Sequence, residues 1–488
     1  MDNRKPNIIL VVIDALRARN LGCYGMAGNP SPHLDALAGS GVLFERNYAT
    51  WNTTDPSLTC ILTGKYPRSH GIMDHGDRAT SEVRRRFAET GTTMLAEVLQ
   101  RSGYETAAVD WMGRWFKRGF DHYGFRPQRS PARKWAHRLS LPGLYVRYAL
   151  DHLPILQCYR GVRRGTGKDL AQGMKDVLST FAFTYRLAEI QDAACVTRLA
   201  SEFLERPHPA PFFLFLHYWD THTPYHCPRG FLPDRTDLKD PRSLLTARYS
   251  GAVRYVDLHL GRLFAKLKEQ NLWNNTLLVV TADHGDSLTE HEIYFDHHGL
   301  YEETTHVPLI LHYPVRWLTG RRLPCFVQHV DLLPTICEMA GLDTPAGGDG
   351  ASLVPVIEGQ LECLRDAVFM EESYVQRKAG LRTGRYKYIQ AVDGTGWCRY
   401  CEKVHVGMEE LYDIQEDPGE TRDLSQSHRD LAAELKGRLN KLMAQLDRKR
   451  EQCNSRVAGQ GADAGSVLEP GEEQMIRKRL KSLGYLSE

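Results

Sequence analysis

Apolar and polar positions follow two different rhythms along this 488-residue chain. In the N-terminal part, short uninterrupted apolar runs alternate with segments of helical periodicity, the pattern of a mostly parallel sheet covered by helices. Buried strands are predicted at Asn7–Ile13, Glu105–Val109, Phe212–His217, Thr276–Thr281 and Pro308–His312. Helices are predicted at Thr93–Ser102 and Tyr255–Glu269, where Val256, Leu260, Leu263 and Leu267 share one stripe. From Glu371 onward the texture changes. Leu381–Ile389 and Glu409–Asp413 read as short strands, and Leu431, Leu435, Leu439, Leu442 and Leu446 mark one long amphipathic helix. The Gly/Ala/Ser-rich stretch Val457–Val467 reads as a linker to a short helix over Glu472–Leu483, with Gly484 to stop it. The expected fold class is α/β: a large, mostly parallel sheet flanked by helices over residues 1–370. A smaller α+β subdomain is expected over 371–488.

Composition refines this only at the edges. With 42% hydrophobic and 25% charged residues the chain has the balance of a folded globular protein. Sixty-two basic against 60 acidic residues leave a net charge of +2, so no nucleic-acid partner is expected. The apolar run Ile8–Ile13 is too short for a signal-peptide core, and no run reaches the ~18–20 residues of a membrane span. Eleven cysteines, an odd and mostly scattered set, point to a reduced, cytoplasmic protein. Cys398 and Cys401, with His405 following, lack the second pair of a four-ligand zinc site and read as a surface loop. Charge is uneven in one place. Arg126–Lys168 holds ten Lys/Arg against the single acid Asp151, interleaved with Trp135, Leu139, Leu141, Leu144, Tyr145 and further apolar residues. Two readings stand there: an insertion that covers an anionic, partly apolar, lipid-like substrate or touches a membrane surface, and a solvated helical excursion.

Twenty histidines are also uneven: six fall between His284 and His312, and three between His217 and His226. Ligands of open parallel sheets bind beyond the carboxyl ends of the strands, so the residues just past each apolar run carry the information. Asp14 follows the first run; Asp220, His222 and His226 follow the third; Asp283 and His284 follow the fourth. Carboxylate and imidazole delivered by three strands to one edge suit a divalent cation such as Zn²⁺, Mn²⁺ or Mg²⁺. A nucleophile is available in Thr53–Gly64. Pro56 favours a first helical turn and Gly64 a stop, so Pro56–Thr63 is predicted helical, with Thr54 at or beside its N-terminus. Free N–H groups and the helix dipole favour an alkoxide, phosphate or sulfate there; a plain Thr N-cap explains the segment taken alone equally well.

At this point several stretches carry a resemblance. PNIILVVIDALRARNLGCYG, TTDPSLTCILTGKYPRSHGI, PFFLFLHYWDTHTPY, NTLLVVTADHGDSL, HHGLYEETTHVPLILHYP, VDLLPTICEMAGL, GRYKYI and ELYDIQEDPGETRDL occur in the order and spacing of the sulfatases of the alkaline phosphatase superfamily. The chain resembles that family along nearly its whole length. The resemblance implies a large α/β domain with a smaller C-terminal subdomain, and metal-assisted cleavage of sulfate or phosphate esters. It implies that Asp14, Asp283 and His284 bind a divalent metal (Zn, Mn, Mg or Ca), with Thr54 at the nucleophile position. His222 would contact the transferring group or protonate the leaving oxygen, and His297 or His298 would face the same group. Asp220 and His226 are held in reserve for a second metal or the substrate.

This sequence also departs from the family pattern. The formylglycine signature C/S-x-P-S-R reads Thr54-Asp55-Pro56-Ser57-Leu58, so no formylglycine is expected. The second Asp of the first strand is Ala15, and a Gly-Lys-Trp-His stretch is replaced by Asp110-Trp111-Met112-Gly113. The resulting expectation is a metal-dependent hydrolase of anionic phosphate mono- or diesters, or of sulfate esters, acting through a Thr54 nucleophile. Alternatives are a sulfuric ester hydrolase without formylglycine and a phosphoryl-group transferase.

Overall fold

In this computed structural model the described residues are 5–76, 79–124, 192–223, 225–232, 241–293, 295–317, 320–373, 376–392 and 408–458. The basic insertion 126–168, the Cys398/Cys401/His405 group and the tail beyond 458 lie outside them.

Eight strands form the large sheet: β1 (Asn7–Ile13), β2 (Val42–Tyr48), β3 (Glu105–Val109), β4 (His122–Tyr123), β5 (Phe212–Tyr218), β6 (Thr276–Thr281), β7 (Leu309–His312) and β8 (Arg321–Gln328). Their order is β4-β3-β5-β1-β6-β7-β2-β8, and β7 runs against both its neighbours while the remaining pairs are parallel. The sheet is therefore mixed but mostly parallel, as expected. Strands β2 and β8 escape the sequence pattern because polar residues interrupt them: Glu45, Arg46 and Asn47 in β2, Arg321 and Arg322 in β8.

Strand β1 shows why the sheet sits at the centre. All seven of its residues are buried, and its side chains alternate between two cores. Ile8, Leu10 and Val12 join helices α2 (Thr54–Thr63), α3 (Leu95–Arg101) and α6 (Leu332–Met339) on one face. Ile9, Val11 and Ile13 join α1 (Pro32–Ser40), α4 (Ala193–Leu204) and α5 (Pro241–Glu269) on the other. Strands buried on both faces read as continuous apolar runs, which is why they were legible.

The small sheet is antiparallel, in the order β12-β11-β10-β9, from β9 (Ala367–Glu372), β10 (Lys378–Thr383), β11 (Tyr386–Ala391) and β12 (Glu409–Asp413). It begins just before the expected boundary at 371. The single strand expected over Leu381–Ile389 is a hairpin turning at Gly384–Arg385. The apolar stripe of α7 (Arg429–Ala458), including Leu435, Leu439 and Leu446, packs on this sheet. No helix among the described residues is long and apolar enough to cross a membrane.

The expectation of an entirely reduced cysteine set is corrected at one pair: Cys325 in β8 and Cys363 form a disulfide, with Cα atoms 5.3 Å apart. Thirty-eight residues separate them in the chain, and only the return of the chain past β8 brings them into range.

Candidate active site

The carboxyl ends of β1, β5 and β6 lie side by side, and their register sets the site. Val12 pairs with His217 of β5 and with Thr281 of β6, so Asp14 and Asp283 each project just beyond the paired rows. Ala15 N–H and His284 N–H both donate to Asp283 Oδ1, at 3.1 and 2.8 Å, leaving Oδ2 buried with no hydrogen-bond partner. Ala15 itself sits at φ 55°, a backbone conformation unusual for a non-glycine residue and one that turns the chain sharply after Asp14.

Helix α2 brings in Thr54. It begins at Thr54 and is buried along its whole length. The Ser57 hydroxyl lies 2.5 Å from the Asp283 carbonyl oxygen and 3.0 Å from His329 Nδ1, and His329 Nε2 donates to the Ala282 carbonyl at 2.9 Å. Ser57 thus ties the first turn of α2 to the end of β6. Thr54 Oγ1 then stands 3.4 Å from His284 Nε2.

Around that hydroxyl the charges are unbalanced. His284 Nδ1 lies 2.8 Å from the Gly285 carbonyl and donates to it, which leaves Nε2 unprotonated. This Nε2 faces Asp283 Oδ2 at 3.5 Å and Asp14 Oδ1 at 3.7 Å. Burial, joined by the charges of Asp283, Asp286 and Asp110, pushes the Asp14 carboxyl well above the usual carboxylate range. Apart from the neighbouring Thr54 hydroxyl, neither Asp14 oxygen has a hydrogen-bond partner. Lone pairs from a ring nitrogen and two carboxyl groups thus converge with no cationic side chain between them. Leaving such groups buried and unpaired is costly, and a divalent cation removes the cost. The donor set of oxygen and imidazole fits a hard or borderline cation. Asp14, Asp283, His284 and Thr54 therefore converge as the sequence implied.

Three imidazoles surround this group. His222 Nδ1 lies 2.7 Å from the Thr223 carbonyl, and burial lowers its pKa to about 4. His297 packs its ring 4.7 Å from that of His284 and 6.3 Å from that of His222; burial, then the charge of His284, hold it well below the usual range. Of the two adjacent histidines, His297 is the one stacked on the cluster; His298 is buried with Nδ1 3.8 Å from Asp296 Oδ2. The third imidazole is His75, which sequence reasoning missed. Its Nδ1 lies 3.2 Å from the Asp55 amide nitrogen and 3.1 Å from Asp55 Oδ2, and it acts electrostatically on His222, His284 and His297.

Asp55, next to Thr54, is clamped by the Arg114 guanidinium on both oxygens. Burial alone would raise its carboxyl, but Arg114 and His75 outweigh burial and hold it at about 2. A fixed cation therefore reaches the start of α2 although position 58 is leucine. Arg114 opens a single 3-10 turn, Arg114–Lys117, and His75 lies in a loop, so neither gave a periodic signal. Asp110 and His217 did lie at strand ends, and strand-end logic applied to every run would have found them. Asp220 and His226 belong to neither of the two convergent groups of ligand atoms among the described residues, Asp14–His217–Asp283 and His291–Glu303–Glu420. Asp220 instead accepts from Ala193 N–H at 3.2 Å, and His226 Nε2 faces Asp192 at 3.6 Å.

Known proteins place this arrangement. Residues 6–342 match the family model described as Sulfatase, and residues 289–445 match that described as N-sulphoglucosamine sulphohydrolase, C-terminal. The N-acetylglucosamine-6-O-sulfatase of Bacteroides thetaiotaomicron is 24% identical, over 87% of this chain and 83% of its own. In fold, a 2-O GAG sulfatase superposes with a TM-score of 0.64 at 20% identity, covering 97% of this chain and all of the other. The phosphonate monoester hydrolase of Agrobacterium radiobacter superposes with a TM-score of 0.62 at 21% identity, covering 92% and 96%. With the family model spanning more than half of its length, and the strand-end site in place, the chain belongs to the sulfatase family of ester hydrolases, which generally use a divalent metal.

Proposed function

We propose that this enzyme cleaves anionic phosphate mono- or diesters with the Thr54 hydroxyl itself as nucleophile. The observation that carries the reading is Thr54 Oγ1 at the buried start of α2, 3.4 Å from His284 Nε2 and beside Asp14. Threonine carries a methyl group on Cβ, so its oxidation would give a ketone and not the aldehyde of formylglycine. With one hydroxyl, the nucleophile becomes an ester of the transferred group, and water must release it. A divalent cation held by Asp14, Asp283, His284 and Thr54 would lower the pKa of the alcohol and of that water.

The chain's own residues supply the rest. The dipole of α2 favours an anion at its N-terminal end. His222 is neutral in the ligand-free protein; an anionic ester beside it favours the protonated ring, which donates to the leaving oxygen. His297 and His75 line the same approach and donate to non-bridging oxygens. His298, buried with Nδ1 3.8 Å from Asp296 Oδ2, is assigned no step in this scheme.

A second reading, sulfuric ester hydrolysis without formylglycine, is favoured by the family match and by the sulfatase activities named for its relatives. Turnover of p-nitrophenyl phosphate, its diester, a phosphonate ester and the sulfate by metal-reconstituted protein separates the two. Faster cleavage of the phosphorus esters is the expected result, and a strict preference for the sulfate would reverse the order of the readings. Product trapping by added glycerol would point to a transferase.

A further inference from the structure

We infer that His217 is a ligand of the same cation, filling the place that Ala15 leaves without a donor; the inference rests on the metal-dependent reading above. Three observations carry it. His217 is buried, and its Nε2 has no hydrogen-bond partner. That nitrogen lies 3.8 Å from Asp14 Oδ2, on the opposite carboxylate oxygen from His284 Nε2. It also converges with Asp14 and Asp283, with all three ligand atoms within 4.8 Å of one another. The spacing is too long for an N–H···O bond, yet short enough for atoms that share a cation.

The ring is oriented from behind. Val109 of β3 pairs with Leu216 of β5, so Asp110 and His217 come level at the sheet edge. Asp110 Oδ1 lies 3.0 Å from His217 Nδ1, and Tyr123 OH donates to Asp110 Oδ2. A carboxylate behind a histidine holds the proton on the rear nitrogen and frees the front one for a metal. Trp219 Nε1 lies 3.2 Å from the same Nδ1. Were that indole to donate there instead, Nε2 would carry the proton and could not bind a cation, so the two tautomers make opposite predictions. The consequence for chemistry is electrostatic. A neutral imidazole in place of a carboxylate leaves more of the cation's charge unneutralised, which suits a nucleophile that is a plain alcohol.

The test uses the full chain stripped of metal and loaded with Mn²⁺ alone. Pulsed electron paramagnetic resonance counts nitrogen atoms bound directly to the ion, and calorimetry gives its affinity. Two nitrogens are expected in the wild type and one in His217→Ala, with affinity weakened about tenfold or more; Asp110→Asn should keep both nitrogens and weaken affinity by about 10–100-fold. His217→Gln, nearer in volume, replaces the alanine variant if that one does not fold. A nitrogen count unchanged in the His217 variant overturns the assignment of His217 while leaving the metal-dependent reading intact. A wild type that binds no Mn²⁺ overturns both.

Discussion

Two clusters of buried charge, one at the edge of the large sheet and one where the small sheet meets it, are built on opposite plans. At the junction basic side chains face the acids. Lys387, fully buried, lies 2.8 Å from both Glu302 and Glu420; Arg382 faces Glu302, Arg19 pairs with Glu303 at 2.5 Å, and Arg17 with Glu290 at 2.7 Å. Burial pushes Glu302 upward, but Lys387 and Arg382 outweigh it and hold the carboxyl well below its usual range, while at Glu420 burial outweighs the shared Lys387 and raises the carboxyl to about 7. At the sheet edge Asp14 and Asp283 have no cationic side chain beside them, and Asp14 is driven the other way. Similar burial with different partners separates the first cluster, where basic side chains face the acids across the border of the two sheets, from the second, whose donor set suits a cation. Charge balance, and not burial or residue type, separates the two.

That contrast can be broken from either side. The largest effect is expected at Thr54: Thr54→Ala should lower turnover by roughly a thousandfold or more while bound metal stays the same. Retained turnover would remove Thr54 from the chemistry. At the junction, Lys387→Met leaves Glu302 and Glu420 facing each other without their shared cation, and should cost about 3–5 kcal/mol in denaturant unfolding. A variant as stable as the wild type would show that the junction does not depend on compensation.

Glu371 probes the pH dependence of the same border. Its carboxyl is buried against Arg68 at 2.7 Å, yet burial wins and raises it from 4.5 to about 7. The folded state thus holds this proton more tightly than the unfolded one. The stabilisation is complete below the unfolded pKa and is lost as pH rises through about 7. The loss amounts to about 3 kcal/mol. Melting curves of wild type and Glu371→Gln between pH 4 and 8 should converge toward the acid end and shift in favour of the variant as pH rises. The smallest effect is expected at Asp14. In metal-free protein Asp14→Asn removes an uncompensated charge and should raise stability by about 1–2 kcal/mol, while Mn²⁺ no longer stabilises the fold. A loss of stability in the metal-free variant would mean that Asp14 is compensated after all.

How much of this was legible beforehand follows from where each residue sits. Asp14 and Asp283 end apolar runs that are buried on both faces, and such runs need no partner to be recognised. Thr54 was placed by Pro56 and Gly64, two residues whose backbone preferences are local, and α2 begins at Thr54 and ends before Gly64 at φ 65°. Strands β2 and β8 were missed because their polar residues break the pattern, and the 384–385 hairpin because a single apolar stretch spans its turn. His75 and Arg114 were missed for a different reason: one acts from a loop and the other from a single 3-10 turn on Asp55, 20 and 59 residues away in the chain. Asp220 and His226 stood at a strand end by the same logic as Asp14, but the chain beyond β5 turns them toward Asp192 and the start of α4.

Sequence by itself determined the layered α/β architecture, the long C-terminal helix and the family, because apolar periodicity, helix-terminal residues and motif order are properties of neighbouring positions. It also determined that a threonine, and not a cysteine or serine, stands at position 54. Tertiary structure alone decided which histidines face the site, that Arg114 stands guard over Asp55 where Leu58 cannot, and that His217 and Asp110 come level across β3 and β5. Those outcomes depend on strand register and loop return, and on the cancellation or persistence of charge between groups far apart in the chain.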